Sequence, residues 1–173
     1  RSAARKAVEL INEYYTLAKS DNEATSPFQR LTCLSNEANH LRTAVLLANE
    51  ALYRDENKNE FKAGVELFAA SFVGNEFVWV QVGQPHLLLA RKSGTLLPLG
   101  SAVDLSVDMS GPGEILPALP NQMLGIDQSI NLTMNSFRVQ PGDKLILLSH
   151  SAPPQSIYSL TYDQLNFDWM SRT

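Results

Sequence analysis

The sequence predicts an α+β fold in which helices precede a set of antiparallel strands. In the first third of the chain, apolar residues recur at spacings of three and four, which is typical of amphipathic helices. After Gly64, apolar residues instead form compact runs separated by Gly, Pro and Asn, which is typical of strands joined by turns. Because these runs are almost continuously apolar, we expect strands covered on both faces, with a sheet packed between another sheet and a layer of helices.

The composition is that of a folded domain of ordinary size. Hydrophobic residues make up 44% of the 173 residues and charged residues 18%, so we expect a single domain spanning residues 1–173. The 14 basic and 18 acidic residues give a net charge of −4. Because no basic cluster with interleaved aromatic residues is present, a nucleic-acid partner is not expected.

Cysteine content and hydropathy bear on the compartment. Cys33 is the only cysteine, which excludes an intrachain disulfide and a cysteine-based zinc site and favours a reducing compartment. No apolar run approaches the roughly 18 residues of a membrane span, so we expect a cytoplasmic protein with no membrane partner. We interpret Cys33 as a small buried apolar residue and not as a nucleophile.

Two helices are predicted before the strands. Apolar residues at helical spacing between residues 1 and 19 give the first. The segment 26–29, Ser-Pro-Phe-Gln, offers an N-cap serine, a proline at the first helical position and a capping-box glutamine. We therefore start the second helix at Ser26, with an interruption near Ser35, and extend it to the charged stretch 54–62.

Six strands and a final helix follow in the prediction. Four strands form an antiparallel meander whose first turn is the Gly-Asn pair at 74–75. The segment 140–143 has proline and glycine in its two central positions, which predicts a turn that joins two further strands into a second hairpin. The predicted strands are 67–73, 77–82, 86–91, 95–99, 132–139 and 144–149, a loop-like region covers 100–120, and a short helix begins at Thr161.

Several segments resemble, in the same order, the motifs of one known protein family. Residues 44–53 look like the family's "ANEAIY" helix, and 64–67 stand where it has Gly-Thr-Thr. Residues 80–89 resemble its "NxGDSR" turn and the "AGHPPxLL" form of the SpoIIE-like branch, 123–126 its "PLGI" segment, and 139–149 its "PGDxLLLxSDG" segment. The family is the protein phosphatase 2C (PP2C) family of metal-dependent Ser/Thr phosphatases. The resemblance to it implies an α-β-β-α sandwich of two antiparallel sheets flanked by helix pairs, here without the family's N-terminal hairpin and C-terminal strand.

The resemblance also implies a chemistry, from which this sequence departs. The family hydrolyses phosphate esters with two Mn²⁺ or Mg²⁺ ions held by aspartates. Ser149, His150 and Ser151 stand where the family has Ser/Thr-Asp-Gly, which places His150 at a degenerate metal-ligand position. A neutral imidazole serves a hard Mg²⁺ or Mn²⁺ site poorly. Gln84, after Gly83, stands where active members often carry Asp.

We therefore expect neither a catalytic residue nor a metal ligand, and no cofactor unless the protein is active, in which case Mn²⁺ or Mg²⁺ is implied. We call Gly83, Gln84, Ser149, His150 and Ser151 the remnant-site positions. Ser149 and His150 also suggest a nucleophile and its base, but neighbours on a strand point to opposite faces, which disfavours that pairing.

Three functions remain open. The first is a catalytically inactive pseudophosphatase that binds a protein partner, a kinase or a phosphoprotein, and regulates phosphorylation signalling. The second is a fragment of an active metal-dependent Ser/Thr phosphatase whose N-terminal Asp-Gly motif lies outside this chain. The third is an unrelated α+β binding module that shares only the hairpin chemistry.

Overall fold

The computed structural model describes residues 2–21, 26–60, 63–92, 94, 96–100, 105, 109, 111, 116, 119–148 and 155–165. Contacts within the chain group it into two compact units. Unit 1 comprises Arg1–Gly83 and Asn121–Arg138, and unit 2 comprises Gln84–Pro120 and Val139–Thr173. None of the helices among the described residues is long and apolar enough to cross a membrane.

Unit 1 contains two helices and a three-stranded antiparallel sheet. The strand order is β1-β2-β5, with β2 paired on both sides. Its elements are α1 (Ser2–Ser20), α2 (Asn36–Leu52) followed by a π-helical turn (Tyr53–Asn57), β1 (Leu67–Val73), β2 (Glu76–Val82) and β5 (Thr133–Arg138).

The core of unit 1 follows from the two periodicities of its elements. Small and branched residues on one stripe of each helix are buried, which lets the helices lie close to the sheet. In β2 alternate residues face this core, whereas Trp79 and Phe77 lie on the opposite face, where their rings contact Phe68, Phe72 and Phe137. The buried core residues of these three elements are Ala3, Ala7, Ile11, Ala38, Leu41, Ala44, Val45, Ala48, Leu52, Val78, Val80 and Val82.

The second helix begins ten residues later than predicted. The Ser35 side chain accepts a hydrogen bond from the Ala38 N–H at 3.3 Å and caps α2. The Ser26 hydroxyl instead accepts from the Phe28 N–H at 3.2 Å and lies 3.0 Å from the Thr43 hydroxyl oxygen. Ser26 thus closes a local turn and fastens the loop to α2, so the start predicted at Ser26 is wrong and the interruption near Ser35 is the true beginning.

Unit 2 contains the second antiparallel sheet, in the order β4-β3-β6. The central strand, β3, is buried along its whole length. A small apolar cluster forms on this sheet with the 3₁₀ helix that follows it in sequence. The elements are β3 (His86–Ala90), β4 (Leu97–Gly100), β6 (Lys144–Leu148) and the 3₁₀ helix (Gln155–Ser159), and the buried cluster is Leu88, Ala90, Leu96, Ile146, Ile157 and Leu165.

Two antiparallel sheets with helices confirm the predicted α+β class, but the predicted strand pairing is wrong in two places. The four-stranded meander is interrupted at Gly83, because β2 pairs with β1 and β5 while β3 pairs with β4 and β6. The second hairpin does not form for the same reason, since β5 and β6 belong to different sheets. The turn between them nevertheless forms as predicted: the Asp143 N–H donates to the Gln140 carbonyl at 3.0 Å, and Gly142 has a φ of 90°.

The last predicted helix is described only at its start. The Leu165 N–H donates to the Thr161 carbonyl at 3.2 Å, and the Thr161 N–H donates to the Gln164 side-chain oxygen at 2.8 Å. These bonds form one turn. The rest of that prediction, and most of the predicted loop at 100–120, lies outside the described residues.

Candidate functional site

The connection that follows β2 carries the first remnant-site position, Gly83. Its φ is 85°, in the left-handed region that glycine adopts without steric cost. A Cβ atom at this position would lie 2.7 Å from Cγ of Glu66, so a side chain would also displace its neighbour. The Gly83 carbonyl accepts a hydrogen bond from Nε2 of Gln81 at 3.4 Å. Backbone geometry and space therefore both favour glycine here.

Gln84, the second remnant-site position, is a buried neutral side chain. Only 2% of its surface is exposed. A carboxylate at this depth would need a cation, a metal or several donors to remain ionised, whereas an amide carries no charge to neutralise. Gln84 therefore adds no charge to this connection.

His86 lies two residues further, at the start of β3. It is 9% exposed and pairs in register with Leu148, the last residue of β6. Burial lowers the pKa of His86 below 6.5, so its imidazole is neutral at pH 7. A neutral, buried imidazole at the end of a strand adds no charge that could bind a phosphate group.

The other three remnant-site positions, Ser149, His150 and Ser151, lie outside the described residues. Asp104 and Asp108, two acidic residues of the loop-like region, also lie outside the described residues. Within the part of the chain that the structure describes, no group of three or more His, Cys, Asp or Glu side chains could hold a metal ion.

Cys33 is exposed, which contradicts the buried position predicted for it. The reason is the late start of α2: Cys33 precedes the Ser35 cap and therefore belongs to a surface loop, not to a packed helix.

A second feature was missed by the sequence analysis. A groove with a volume of about 470 Å³ runs along α1 and α2, and we call it the helix groove. It is bordered by residues 10–17 of α1 and by residues 47–54 of α2 and the π-helical turn. Leu10, Tyr14 and Leu17 line one side, and Leu47 and Ala51 line the other. The sequence does hold a signal for it, because Leu10, Tyr14 and Leu17 recur at helical spacing beside the stripe that faces the core.

Eleven chains of solved structures match the fold, among them the following three. PppA, a key regulatory component of the T6SS in Pseudomonas aeruginosa, is 17% identical, with a TM-score of 0.58 over 82% of this chain and 56% of that chain. The Mycobacterium tuberculosis serine/threonine phosphatase PstP/Ppp is 21% identical, with a TM-score of 0.50 over 82% and 61%. The catalytic domain of the phosphatase PstP in complex with two manganese ions is 22% identical, with a TM-score of 0.51 over 82% and 58%.

The chain has a PP2C-like fold. Identities between 17% and 22% show this fold and not an activity. The chain spans less than two thirds of the length of each of these structures. The sequence matches no protein-family model and no curated protein. For a PP2C-like chain, the positions to compare with active phosphatases are those that follow β2 and those that follow β6.

Proposed function

We propose that this PP2C-like chain is a pseudophosphatase that acts in the cytoplasm by binding a protein partner, a kinase or a phosphoprotein, and so regulates phosphorylation signalling. The observation that carries the proposal is His150, which stands where the family's metal-binding aspartate follows the strand after Pro-Gly-Asp. The turn at 140–143 and the strand β6 at 144–148 support this correspondence, because both form as in the motif.

The chemistry of the donor atoms supports an inactive site. Two-metal hydrolysis requires anionic oxygen ligands that hold the cations and balance their charge. His150 replaces one such carboxylate by an imidazole, and Gln84 puts a buried neutral amide where active members often have another. Both changes reduce the negative charge available to Mn²⁺ or Mg²⁺, and neither is compensated by an acidic cluster among the described residues.

A regulatory role has some support from a structural neighbour. PppA is described as a key regulatory component of a secretion system, so at least one protein of this fold is a regulator. A fold that has lost its metals retains its surfaces, which leaves protein binding as the activity that it can still provide.

The test combines Mn²⁺ titration by calorimetry with hydrolysis of para-nitrophenyl phosphate. We expect neither saturable Mn²⁺ binding nor Mn²⁺-dependent turnover from the wild-type protein. The His150→Ala variant is the matched control, and we expect it to behave like the wild type. Turnover that saturates with Mn²⁺ in the wild type and is lost in His150→Ala would overturn the proposal, because it would make His150 a working ligand.

The alternative is an active phosphatase of which this chain is a part. One observation favours it: the catalytic domain of PstP holds two manganese ions, and this chain matches only 58% of that domain. The same two assays on the full-length gene product separate the functions. Mn²⁺-dependent hydrolysis by the full-length protein would establish the alternative, whereas its absence would leave the pseudophosphatase.

A further inference from the structure

The shape of the helix groove suits the binding of a third helix. The ion pair between Lys6 Nζ and Asp55 Oδ2, at 2.9 Å, places the start of α1 beside the end of α2, so the two helices run antiparallel. Each contributes a stripe at i, i+3, i+4 and i+7, from positions 10 and 47 respectively. Such a stripe extends over two turns, about 10 Å. A third helix that packs along two antiparallel helices meets this kind of surface.

The floor of the groove is apolar and partly open to water. Leu10, Tyr14, Leu47 and Ala51 are half-buried, whereas Leu17 is 59% exposed at one end. Leu10 and Tyr14 also pack against the core of unit 1, whereas Leu17, Leu47 and Ala51 are not among the residues of that core. An amphipathic helix with leucine-like side chains would remove this apolar surface from water, which is favourable in proportion to the area buried.

Charge determines which kind of helix fits. Glu13 on α1 and Glu50 on α2 line the groove from opposite sides, and neither forms an ion pair or a side-chain hydrogen bond with the described residues. Arg54, also in the lining, is bound through Nε to Asp55 at 3.0 Å. The two carboxylates outnumber the one guanidinium in the lining, which favours a helix with lysine or arginine on its flanks.

The same charges disfavour a second copy of this chain as the occupant. A symmetric dimer through the groove would bring Glu13 and Glu50 of one copy against those of the other, and like charges across an interface are repulsive. An acidic partner helix is disfavoured for the same reason.

We propose that the helix groove binds an amphipathic, lysine- or arginine-rich helix of a partner protein. The inference rests on the proposed function, because it names the surface of this chain that binds the proposed protein partner and the kind of partner helix that fits it. It uses only residues of α1, α2 and the π-helical turn, so it is tested separately from the metal chemistry.

The test measures binding of a helical probe by fluorescence anisotropy. The probe is a capped, labelled peptide of about 14 residues, all leucine or lysine, with leucine at i, i+3, i+4 and i+7. We expect the double variant Glu13→Lys/Glu50→Lys to bind it at least about tenfold more weakly than the wild type. The control Glu60→Lys/Asp163→Lys has the same net charge, changes exposed acids outside the groove, and should differ from the wild type by less than about twofold.

The possible results distinguish binding in the helix groove from attraction by net charge and from dimerisation. Equal weakening by the two double variants would mean that the peptide senses only net charge, and the groove proposal would be wrong. A wild-type dimer in sedimentation that the Glu13→Lys/Glu50→Lys variant dissociates would overturn it as well, because the occupant would then be a second copy. Mn²⁺ binding and ester hydrolysis of both variants should equal those of the wild type, so the pseudophosphatase proposal is judged by the metal assays alone.

Discussion

At the scale of single residues, two buried asparagines fix the segment before β5 to the end of α2. Asn49 is 1% exposed: its side-chain oxygen accepts from the Gly125 N–H at 2.8 Å, and its Nδ2 donates to the Asp127 carbonyl at 3.0 Å. Asn57 is 2% exposed and donates to the carbonyls of Gly125 and Ala63 at 2.8 and 2.7 Å. These amide side chains thus add to the isolated β-bridge between Val65 and Leu124 in holding this segment in place.

The sequence indicated where these residues lie but not why they are there. The motif that resembles "ANEAIY" contains Asn49, and helical spacing predicts the helix around it. Its partners are more than 70 residues away in sequence, and no local pattern predicts a hydrogen bond over that distance. Buried polar side chains are therefore the part of this unit that required the structure.

Replacing Asn49 by Ala should destabilise the protein by about 1 to 3 kcal/mol, because the change leaves the buried Gly125 N–H without a partner. Urea denaturation followed by circular dichroism gives the free energy of unfolding. The control is Asn12→Ala on the exposed face of α1, where alanine's better helix propensity should give a gain of roughly 0.5 kcal/mol. Similar unfolding free energies for the two variants would show that Asn49 has no such role.

At the scale of elements, local chemistry predicted which segments are strands but not which strands pair. The bounds of β1 agree with the prediction residue for residue, and the Gly-Asn turn joins β1 to β2 as expected. The two errors in the predicted strand pairing occur at Gly83 and at the turn at 140–143, where the chain changes direction between two strands. A turn of that kind is compatible with a hairpin and also with a change of sheet, and the choice depends on long-range packing.

The turn at 140–143 is held to β3 by an ion pair. Arg91 Nε lies 3.2 and 3.3 Å from the two carboxylate oxygens of Asp143, whose side chain is only 5% exposed. One of those oxygens also accepts from the Gln140 N–H at 2.9 Å. The pair therefore links the end of the central strand of the second sheet to the chain that enters β6.

Arg91→Ala should lower the free energy of unfolding by about 2 to 4 kcal/mol, since it leaves a nearly buried carboxylate without its cation. Arg5→Ala provides the contrast. Arg5 forms an i,i+4 pair with Glu9 at 2.8 Å, but their side chains are 82% and 62% exposed, and such a pair contributes at most about 0.5 kcal/mol. Thermal and urea denaturation of both variants measure the difference, and equal losses would show that the pair with Asp143 is no stronger than a surface contact.

At the scale of the whole molecule, the fold class was predictable because several independent signals agree. Two helices, apolar runs and the order of the PP2C-like segments all indicate an α+β protein with antiparallel sheets, and the structural neighbours agree. The site was predictable only as sequence positions. The resemblance locates Gly83 and His150 in the motifs. The exposure of a side chain depends instead on how the chain packs, which buries Gln84 and leaves Cys33 exposed.

The stability of the whole molecule should fall as the solution becomes acidic, and His86 should be one cause. Because burial lowers its folded-state pKa below 6.5, the unfolded chain binds a proton in a pH range where the folded protein does not. The contribution of His86 to stability is therefore fully present above the unfolded pKa of about 6.5 and is lost as the pH falls through that value towards the folded pKa.

Comparison of wild type with His86→Gln at two pH values isolates this effect. Between pH values of about 7.5 and about 5.5, the wild type should lose more unfolding free energy than the variant, because only the wild type carries the imidazole whose pKa burial lowers. The readout is this difference between two pH values, so a constant cost of placing glutamine in β3 cancels. If the two proteins lost the same amount, His86 would titrate alike in the folded and unfolded states, and its burial at the start of β3 would have no consequence for stability.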